Sequence, residues 1–459
     1  MLRRIKHTKL ISVLYLIVVV CLFLNLSTIS AEEWIGKKFM PKIEAKFIKG
    51  VKDDTKIPAE EILFPLIVSK IDGDLLLVGA GWIKKSHVIP LDDAISYYTD
   101  YLKTQNLLSS WAYMNRGIVW SEQKESSKAI SNAINDFAWA TRLNPYSSLA
   151  YHYEGLLWLS RREYDTAIMH FNDAIRLYPK NPMTYYYRGN ANYSKGARYT
   201  PAYDRALKDY NKSIELDPKY SPAYHQRGMT WFTKGDYDKA LKDYTMSIQL
   251  DSKDAYAHYN RGIAWSKIGK YNKAIKDFSK SIQLDPKFML AYNARGNTWS
   301  KLGKYDKSIK DQTVAMRLDP FDVVIIVHRG NSWDLKGAYK EALLDYNKSV
   351  RLHPQRPDGY NGLAWLWATC PDIKYRDGKK AVEAGKKACE FSDWKEPNFI
   401  DTLAAAYAES GDFEQAVKYQ KMLLKMLNES ADKRDFEERL ELYLAGKPYH
   451  RKKPEKLSK

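Results

Sequence analysis

Cysteine is nearly missing from this chain: there are three in 459 residues, Cys21, Cys370 and Cys389. That is too few for the disulfide framework on which small secreted domains depend. Arrangements that carry chemistry are missing as well. The nine histidines are scattered, and His152, His170, His225, His258 and His328 fall in separate contexts without metal-ligand spacing. There is no phosphate-cradling glycine loop, nucleophile elbow or zinc signature, and Gly378-Lys379-Lys380 lacks the upstream loop that a nucleotide site needs. These absences argue against an enzyme and imply no catalytic residue, no metal and no cofactor. Acidic residues are also in deficit, 55 against 73 lysines and arginines, for a net charge of +18.

Residues 1–31 have the layout of an address. Arg3, Arg4, Lys6 and Lys9 precede an apolar run from Leu10 to Leu26, and a short polar stretch ends at Ala31. The segment reads as a signal peptide cleaved after Ala31, with an uncleaved N-terminal anchor as the alternative. Either way the chain is expected to be exported, to the periplasm, the medium or the envelope, and to meet a membrane only through an uncleaved N-terminus. Cleavage removes four basic residues and no acidic one, which takes +18 to +14. A basic exported protein suits acidic partners or an anionic envelope polymer, and nucleic acid is not expected. Basic residues crowd the C-terminus at Lys447, Arg451, Lys452, Lys453, Lys456 and Lys459, so residues 447–459 read as a solvated, disordered tail.

What dominates the chain is a period. Arg-Gly recurs at Arg227-Gly228, Arg261-Gly262, Arg295-Gly296 and Arg329-Gly330, each 34 residues from the last. The small residue continues backward to Gly189, Gly155 and Gly117 and forward to Ala364 and Ala404. This marks nine units over 110–430, starting near residues 110, 148, 182, 221, 255, 289, 323, 357 and 397. In the unit from Ser221 to Asp254, Tyr224, Gly228 and Trp231 take positions 4, 8 and 11 on one face of a first helix. Gly235-Asp236 makes a turn, and Ala240, Tyr244 and Ser247 take positions 20, 24 and 27 of a second helix. Other units close on Leu-Asp-Pro, where proline stops the second helix.

A 34-residue unit with small residues at positions 8, 20 and 27 resembles the tetratricopeptide repeat. The resemblance implies a mainly α fold: an α-solenoid of about nine helix-turn-helix repeats stabilised by stacking neighbours. Glycine inside a helix costs about 1 kcal/mol relative to alanine, and close approach of a partner helix bearing Ala240 or Ala274 is the expected compensation. The tryptophans at position 11 (Trp120, Trp158, Trp231, Trp265, Trp299, Trp333 and Trp367) are expected in the core. Extra residues in units one, three and eight fall between paired helices and are expected at one edge. Residues 431–446 read as a polar capping helix. Cys370 and Cys389 fall at opposite ends of unit eight's helix pair, which predicts free thiols.

Positions 7 and 23 covary across the units. Arginine meets aspartate in Arg116/Asp136, Arg188/Asp209, Arg227/Asp243, Arg261/Asp277, Arg295/Asp311 and Arg329/Asp345. Unit two has Glu154 and His170, and units eight and nine have uncharged Leu363/Ala384 and Leu403/Tyr419. An interhelical bridge is the structural reading, and an arginine row for an acidic ligand is the functional one.

Residues 34–92 differ in kind. Leu63–Ile71, Leu75–Val78 and Trp82–Ile89 read as strands around turns at 72–74 and 79–81. The segment Asp72-Gly73-Asp74-Leu75-Leu76-Leu77-Val78 with Gly81-Trp82-Ile83 resembles a small SH3-like β-barrel, whose usual N-terminal aromatic motif is missing. Residues 93–109 read as a linker helix.

In tetratricopeptide proteins the first helices line a concave groove. That resemblance places Tyr186, Tyr187, Asn190, Tyr193, His225, Gln226, Met229, Phe232, Tyr256, Tyr259, Asn260, Ile263, Asn293, Asn297, His328 and Asn331 there. Rings supply contact area and amides can pair a peptide backbone, so a protein or peptide partner is expected. The resulting expectation is a non-catalytic interaction scaffold of the cell envelope; the alternative is a cell-wall or polysaccharide binder using the SH3-like module and basic surface.

Overall fold

The computed structural model describes residues 35–42, 47–50, 53–56, 66–72, 75–78, 81–104, 108–123, 126–196, 201–427 and 433–453. The leader at 1–31, the turns at 73–74 and 79–80, the unit-three insert at 197–200 and the end of the tail at 454–459 lie outside these residues. The chain divides into two compact units, residues 1–236 and 237–459.

The first unit opens with seven short strands: β1 (Lys38–Pro41), β2 (Phe47–Gly50), β3 (Asp53–Lys56), β4 (Leu66–Asp72), β5 (Leu75–Val78), β6 (Gly81–Lys84) and β7 (Val88–Pro90). They are hydrogen-bonded in the order β3-β2-β6-β5-β4-β1-β7, and every pairing is antiparallel. The expected strand Trp82–Ile89 is split by a 3-10 turn at Lys85–His87. Inward residues Phe39, Met40, Leu66, Val68, Leu76, Ile83, Val88 and Ile89 are buried. They share one core with Tyr98 and Leu102 of helix α1 (Leu91–Thr104) and with the first repeat. The Tyr98 hydroxyl, fully buried, donates to the Pro41 carbonyl.

Helix pairs follow: α2 (Ser110–Glu122) with α3 (Ser127–Leu143), α4 (Ser148–Ser160) with α5 (Tyr164–Leu177), and α6 (Pro182–Gly196) with α7 (Pro201–Leu216). Helix α8 (Ser221–Thr233) completes the first unit, and the second begins at α9 (Tyr237–Leu250). The second unit continues with α10 (Ala255–Lys267) and α11 (Tyr271–Leu284), α12 (Met289–Lys301) and α13 (Tyr305–Leu318), then α14 (Val323–Lys336) and α15 (Tyr339–Leu352). Its last elements are α16 (Pro357–Thr369) with α17 (Gly378–Phe391), α18 (Pro397–Glu409) with α19 (Phe413–Met426), and α20 (Arg434–Leu444). Each first helix begins on the residue at which the period starts a unit. No described helix is long and apolar enough to cross a membrane.

The glycine at position 8 admits the partner helix through a ring in addition to the expected alanine. A Cβ on Gly262 would lie 2.6 Å from the Phe278 ring, and Gly155 and Gly330 stand equally close to Phe171 and Tyr346. The position-24 ring on the approaching partner helix, itself fully buried, therefore fills the space beside the glycine, and the alanines at position 20 are buried as well. The tryptophans belong to the core in part. All seven are half-buried; Trp120, Trp158, Trp333 and Trp367 pack against buried clusters, and position 11 lies near the interhelical turn, where cations cover several indoles. Lys273 sits 4.3 Å from the Trp265 ring centre and Lys307 4.7 Å from that of Trp299. The turn itself needs a left-handed residue, which is glycine at Gly269, Gly303, Gly337 and Gly411 and an arginine, Arg162, in unit two.

The basic end is ordered in part. Tyr449, His450 and Arg451 return to α16, α18 and α14, where Trp365, Glu409 and Asp334 match them, while Lys447, Lys452 and Lys453 stay exposed. Likewise α20 is shorter than expected and is not merely polar, since Arg439 and Tyr443 are buried against α18 and α19. The unit-eight insert carries a 3-10 turn, Ile373–Tyr375, whose Tyr375 ring lies 5.5 Å from that of Tyr339. Cys370 and Cys389 are buried and free, and burial pushes both thiols up, Cys389 to about 12.

Candidate functional site

Five of the six arginine–aspartate pairs close between the helices of one repeat within a unit. Arg261 Nε and Nη2 each lie 2.8 Å from Asp277, and Arg295 reaches Asp311 at 2.7 and 2.8 Å. Arg329 reaches Asp345 at 2.8 and 2.6 Å, Arg116 reaches Asp136 at 2.8 and 2.7 Å, and Arg188 engages Asp209 in the same fork. The sixth expected pair is Arg227, on α8 of the first compact unit, with Asp243, on α9 of the second. Asp243 is buried like its five counterparts, because position 23 faces inward on every second helix that carries the aspartate.

The remaining Nη1 donates backward, to Thr245 from Arg261, to Ser279 from Arg295 and to Thr313 from Arg329. These acceptors hold position 25 of the preceding repeat, a role that sequence reasoning missed although the Ser/Thr/Asn pattern at that position carried it. In the first unit Arg227 likewise donates to Asn211 at 2.7 Å, and Arg116 uses Thr99 of α1 in place of a preceding repeat. Where the fork and the backward bond are both made, each guanidinium ties three helices together. Its donors are then used inside the fold and do not form a ligand row. Burial raises the Asp277 carboxyl, and hydrogen bonds from Arg261 and His258 overcome this to leave it below the usual carboxylate range. In unit two His170 Nδ1 lies 3.3 Å from Glu154, and burial lifts the Glu154 carboxyl to about 7.

The expected groove residues divide by unit. In the first, Tyr186 and Tyr187 are half-buried in a cluster of rings, with Tyr186 5.3 Å from Tyr220 and Tyr187 5.8 Å from His152. The Asn190 carbonyl accepts from the Tyr210 hydroxyl at 2.8 Å and from Gln226 at 3.3 Å. The Tyr193 ring lies 5.6 Å from that of Tyr203, tilted by 53°, and its hydroxyl meets Thr233. His225, Met229 and Phe232 are half-buried along α8.

In the second unit the first helices α10, α12 and α14 enclose a cavity of about 510 Å³ lined by Tyr259, Ile263, Asn293, Asn297, His328 and Asn331. Ser266, Lys267, Leu290, Ser300, Lys301 and Leu335 complete its wall and rim. They stand at positions 2, 12 and 13 of the same first helices, on the groove face. Tyr256 and Asn260 stand outside the lining, and Tyr256 is 58% exposed against Phe288. The cavity floor is a polar relay. Gln312 Nε2 donates to Asn297 Oδ1 (2.9 Å), and His328 Nδ1 lies between the Asn297 amide nitrogen (3.1 Å) and Asn293 Oδ1 (3.0 Å), accepting from the first or donating to the second according to its tautomer. Burial lowers the His328 pKa, consistent with a neutral ring. Ser332 donates to Gln312 Oε1 at 2.9 Å, and Tyr346 donates to Asn331 at 2.8 Å. Several of the amides expected to face a ligand therefore also hold the wall in shape, and Tyr259 with the aliphatic residues supplies the apolar contact.

A second cavity, about 360 Å³, shares Asn331 and Leu335 with the first and is lined further by Asp334, Tyr346, Asn361, Trp365, Asp401 and Arg451. Among the described residues no three His, Cys, Asp or Glu side chains converge on a metal-binding position.

Family models described as tetratricopeptide repeat match residues 255–288, 209–242, 130–182 and 154–221, and one described as TPR repeat matches 230–269. No curated protein matches the chain. Among solved structures, yeast Tom70 is 16% identical over 77% of this chain and 92% of its own, with a TM-score of 0.44. YrrB, a TPR protein with an unusual peptide-binding site, is 23% identical over 44% of this chain and 98% of its own, with a TM-score of 0.35. A tetratricopeptide repeat protein from Parabacteroides merdae is 18% identical over 65% of this chain and 99% of its own, with a TM-score of 0.42.

Proposed function

We propose that this chain of tetratricopeptide repeats is a non-catalytic scaffold of the cell envelope that holds an extended peptide or protein segment along its first helices. The observation that carries the reading is the cavity in the second unit. It joins an apolar wall from Tyr259, Ile263, Leu290 and Leu335 to asparagine amides and two rim lysines, Lys267 and Lys301. Apolar lining with a few convergent polar groups is the usual composition of a recognition site, and neutral His328 keeps the floor uncharged.

Export is part of the proposal and rests on the basic and apolar layout of residues 1–26. The order β7-β1-β4-β5-β6, with a 3-10 turn before β7, supports the SH3-like reading of the N-terminal strands. Their shared core with α1 and the first repeat supports a capping role for that module.

The test is affinity capture from envelope extract with the full chain as bait. Wild-type chain should retain a partner that Tyr259→Ala loses and that Tyr187→Ala, in the ring cluster of the first unit, loses in part. Recovery of the same proteins at the same yield by both variants would remove the groove as the binding surface.

A further inference from the structure

The tail does not end its course in solvent. Beyond α20 the chain turns back, and Tyr449 packs 6.2 Å from the Trp365 ring centre, with the Arg439 guanidinium 5.3 Å from its own. His450 Nε2 meets Glu409 at 2.6 Å, and the Arg451 amide donates to the Thr369 carbonyl at 3.0 Å. The Arg451 guanidinium then forms a two-pronged contact with Asp334, Nη1 to Oδ2 at 2.7 Å and Nη2 to Oδ1 at 3.0 Å, across 117 residues of chain.

Asp334 is the decisive partner. It holds position 12 of repeat seven, where repeats five and six place Ser266 and Ser300 on the wall of the first cavity. Its carboxylate is 6% exposed, and a buried carboxylate needs a matching cation. Of the carboxylates nearby, Asp401 is matched by Arg439 and Glu409 by Arg376 and His450, so Asp334 is the one whose guanidinium comes from the tail. A planar guanidinium satisfies such a carboxylate through two parallel bonds, which an ammonium cannot do. The cis fit is also incomplete. Arg451 Nε is buried without a partner, space of about 360 Å³ remains on one side and about 590 Å³ on the other, beside Tyr305 and Tyr339. The site shares Asn331 and Leu335 with the first cavity, so one extended segment can reach both.

We propose that Asp334, framed by Asn331, Tyr346 and Trp365, is an arginine-recognition site for an extended basic segment, and that Arg451 fills it in cis until such a segment displaces it. The inference rests on reading the groove as a peptide site and adds to it the chemistry of the ligand and a built-in competitor.

The experiment titrates a labelled peptide of residues 447–459 into three folded full-length proteins: wild type, Arg451→Glu, and Arg451→Glu with Asp334→Asn. Charge repulsion in Arg451→Glu expels the tail, so the peptide should bind it about tenfold or more tightly than wild type, where the competitor sits at high effective concentration. The Asp334→Asn change should abolish that binding, and a peptide with lysine at the Arg451 position should lose most of it. Lys447→Ala, an exposed neighbour that lines neither space, should behave as wild type. Equal binding to wild type and Arg451→Glu, no binding to either, or indifference to Asp334→Asn would overturn the proposal. So would failure of Arg451→Glu to fold, which would make Arg451 a structural staple. Loss of the tail peptide with Tyr259-dependent capture intact would sink this inference alone and leave the groove reading standing.

Discussion

Repeats five to seven and repeats eight and nine meet the same demand, joining each helix pair to its neighbours, with different chemistry. In the middle repeats an arginine at position 7 reaches forward to an aspartate and backward to a hydroxyl of the preceding repeat, and a glycine admits a buried position-24 side chain. In the last two repeats position 7 is Leu363 or Leu403, position 8 is Ala364 or Ala404, and position 24 has become Gly385 or Gln420. Their ionic ties are placed differently: Arg439 of α20 onto Asp401 at 3.0 Å, and Arg376 of the repeat-eight insert at 3.2 Å and His450 of the tail at 2.6 Å onto Glu409. Gln420 adds hydrogen bonds at 3.0 Å to Asp401 and to the Phe436 carbonyl. An internal repeat has a successor to lean on. The last one does not, so the chain supplies α20 and the strap in its place.

The largest effect is expected at the C-terminal tie. Asp401→Ala strands Arg439 in a buried position, and breaking such a pair costs about 3–5 kcal/mol. Chemical denaturation followed by circular dichroism should show repeats eight and nine unfolding before the rest. A single unshifted transition would mean that α20 is dispensable. Next comes the middle-repeat glycine. Gly262→Leu drives side chain into the Phe278 ring and should cost roughly 1–3 kcal/mol, with part of the loss recovered when Phe278→Leu is added. An unchanged melting profile for Gly262→Leu would contradict the close approach. The smallest net effect belongs to an exchange of designs. Arg295→Leu alone leaves Asp311 buried without its fork, a loss of about 1–3 kcal/mol. Adding Asp311→Ala, which installs the leucine–alanine pair of repeat eight, should return most of it. A double variant as unstable as the single one would show that the bridge holds more than its own charges.

A fourth measurement concerns the one repeat with inverted charge. Glu154 has a folded pKa of about 7 against an ordinary 4.5, so the folded state binds the extra proton between these values and is favoured at the acid end. Stability from this group should fall as pH rises through that window. Glu154→Gln, neutral throughout, should flatten the dependence of the melting temperature on pH there.

Much of the repeat register was open to reading in advance. The 34-residue spacing located each first helix to the residue, because capping, turn and proline positions recur with the packing that demands them. Correlated change at positions 7 and 23 exposed the bridges, since a buried charge and its partner must change together. The groove was legible only in part. Tyr259, Asn293, Asn297, His328 and Asn331 line one cavity, but their amides are partly engaged in holding the wall, a division of labour that side-chain identity does not reveal.

What the sequence determined by itself is periodic and local: helix pairs, their turns, the residues that face one another every 34 positions. What the tertiary structure decided is aperiodic. That an indole near a turn is covered by lysines, that a ring fills the space beside a glycine, and that Arg451 folds back to Asp334 all depend on distances through space between residues whose separation along the chain follows no repeat. A period encodes contacts between equivalent positions; contacts at the end of the array have no equivalent, so only the folded chain reveals them.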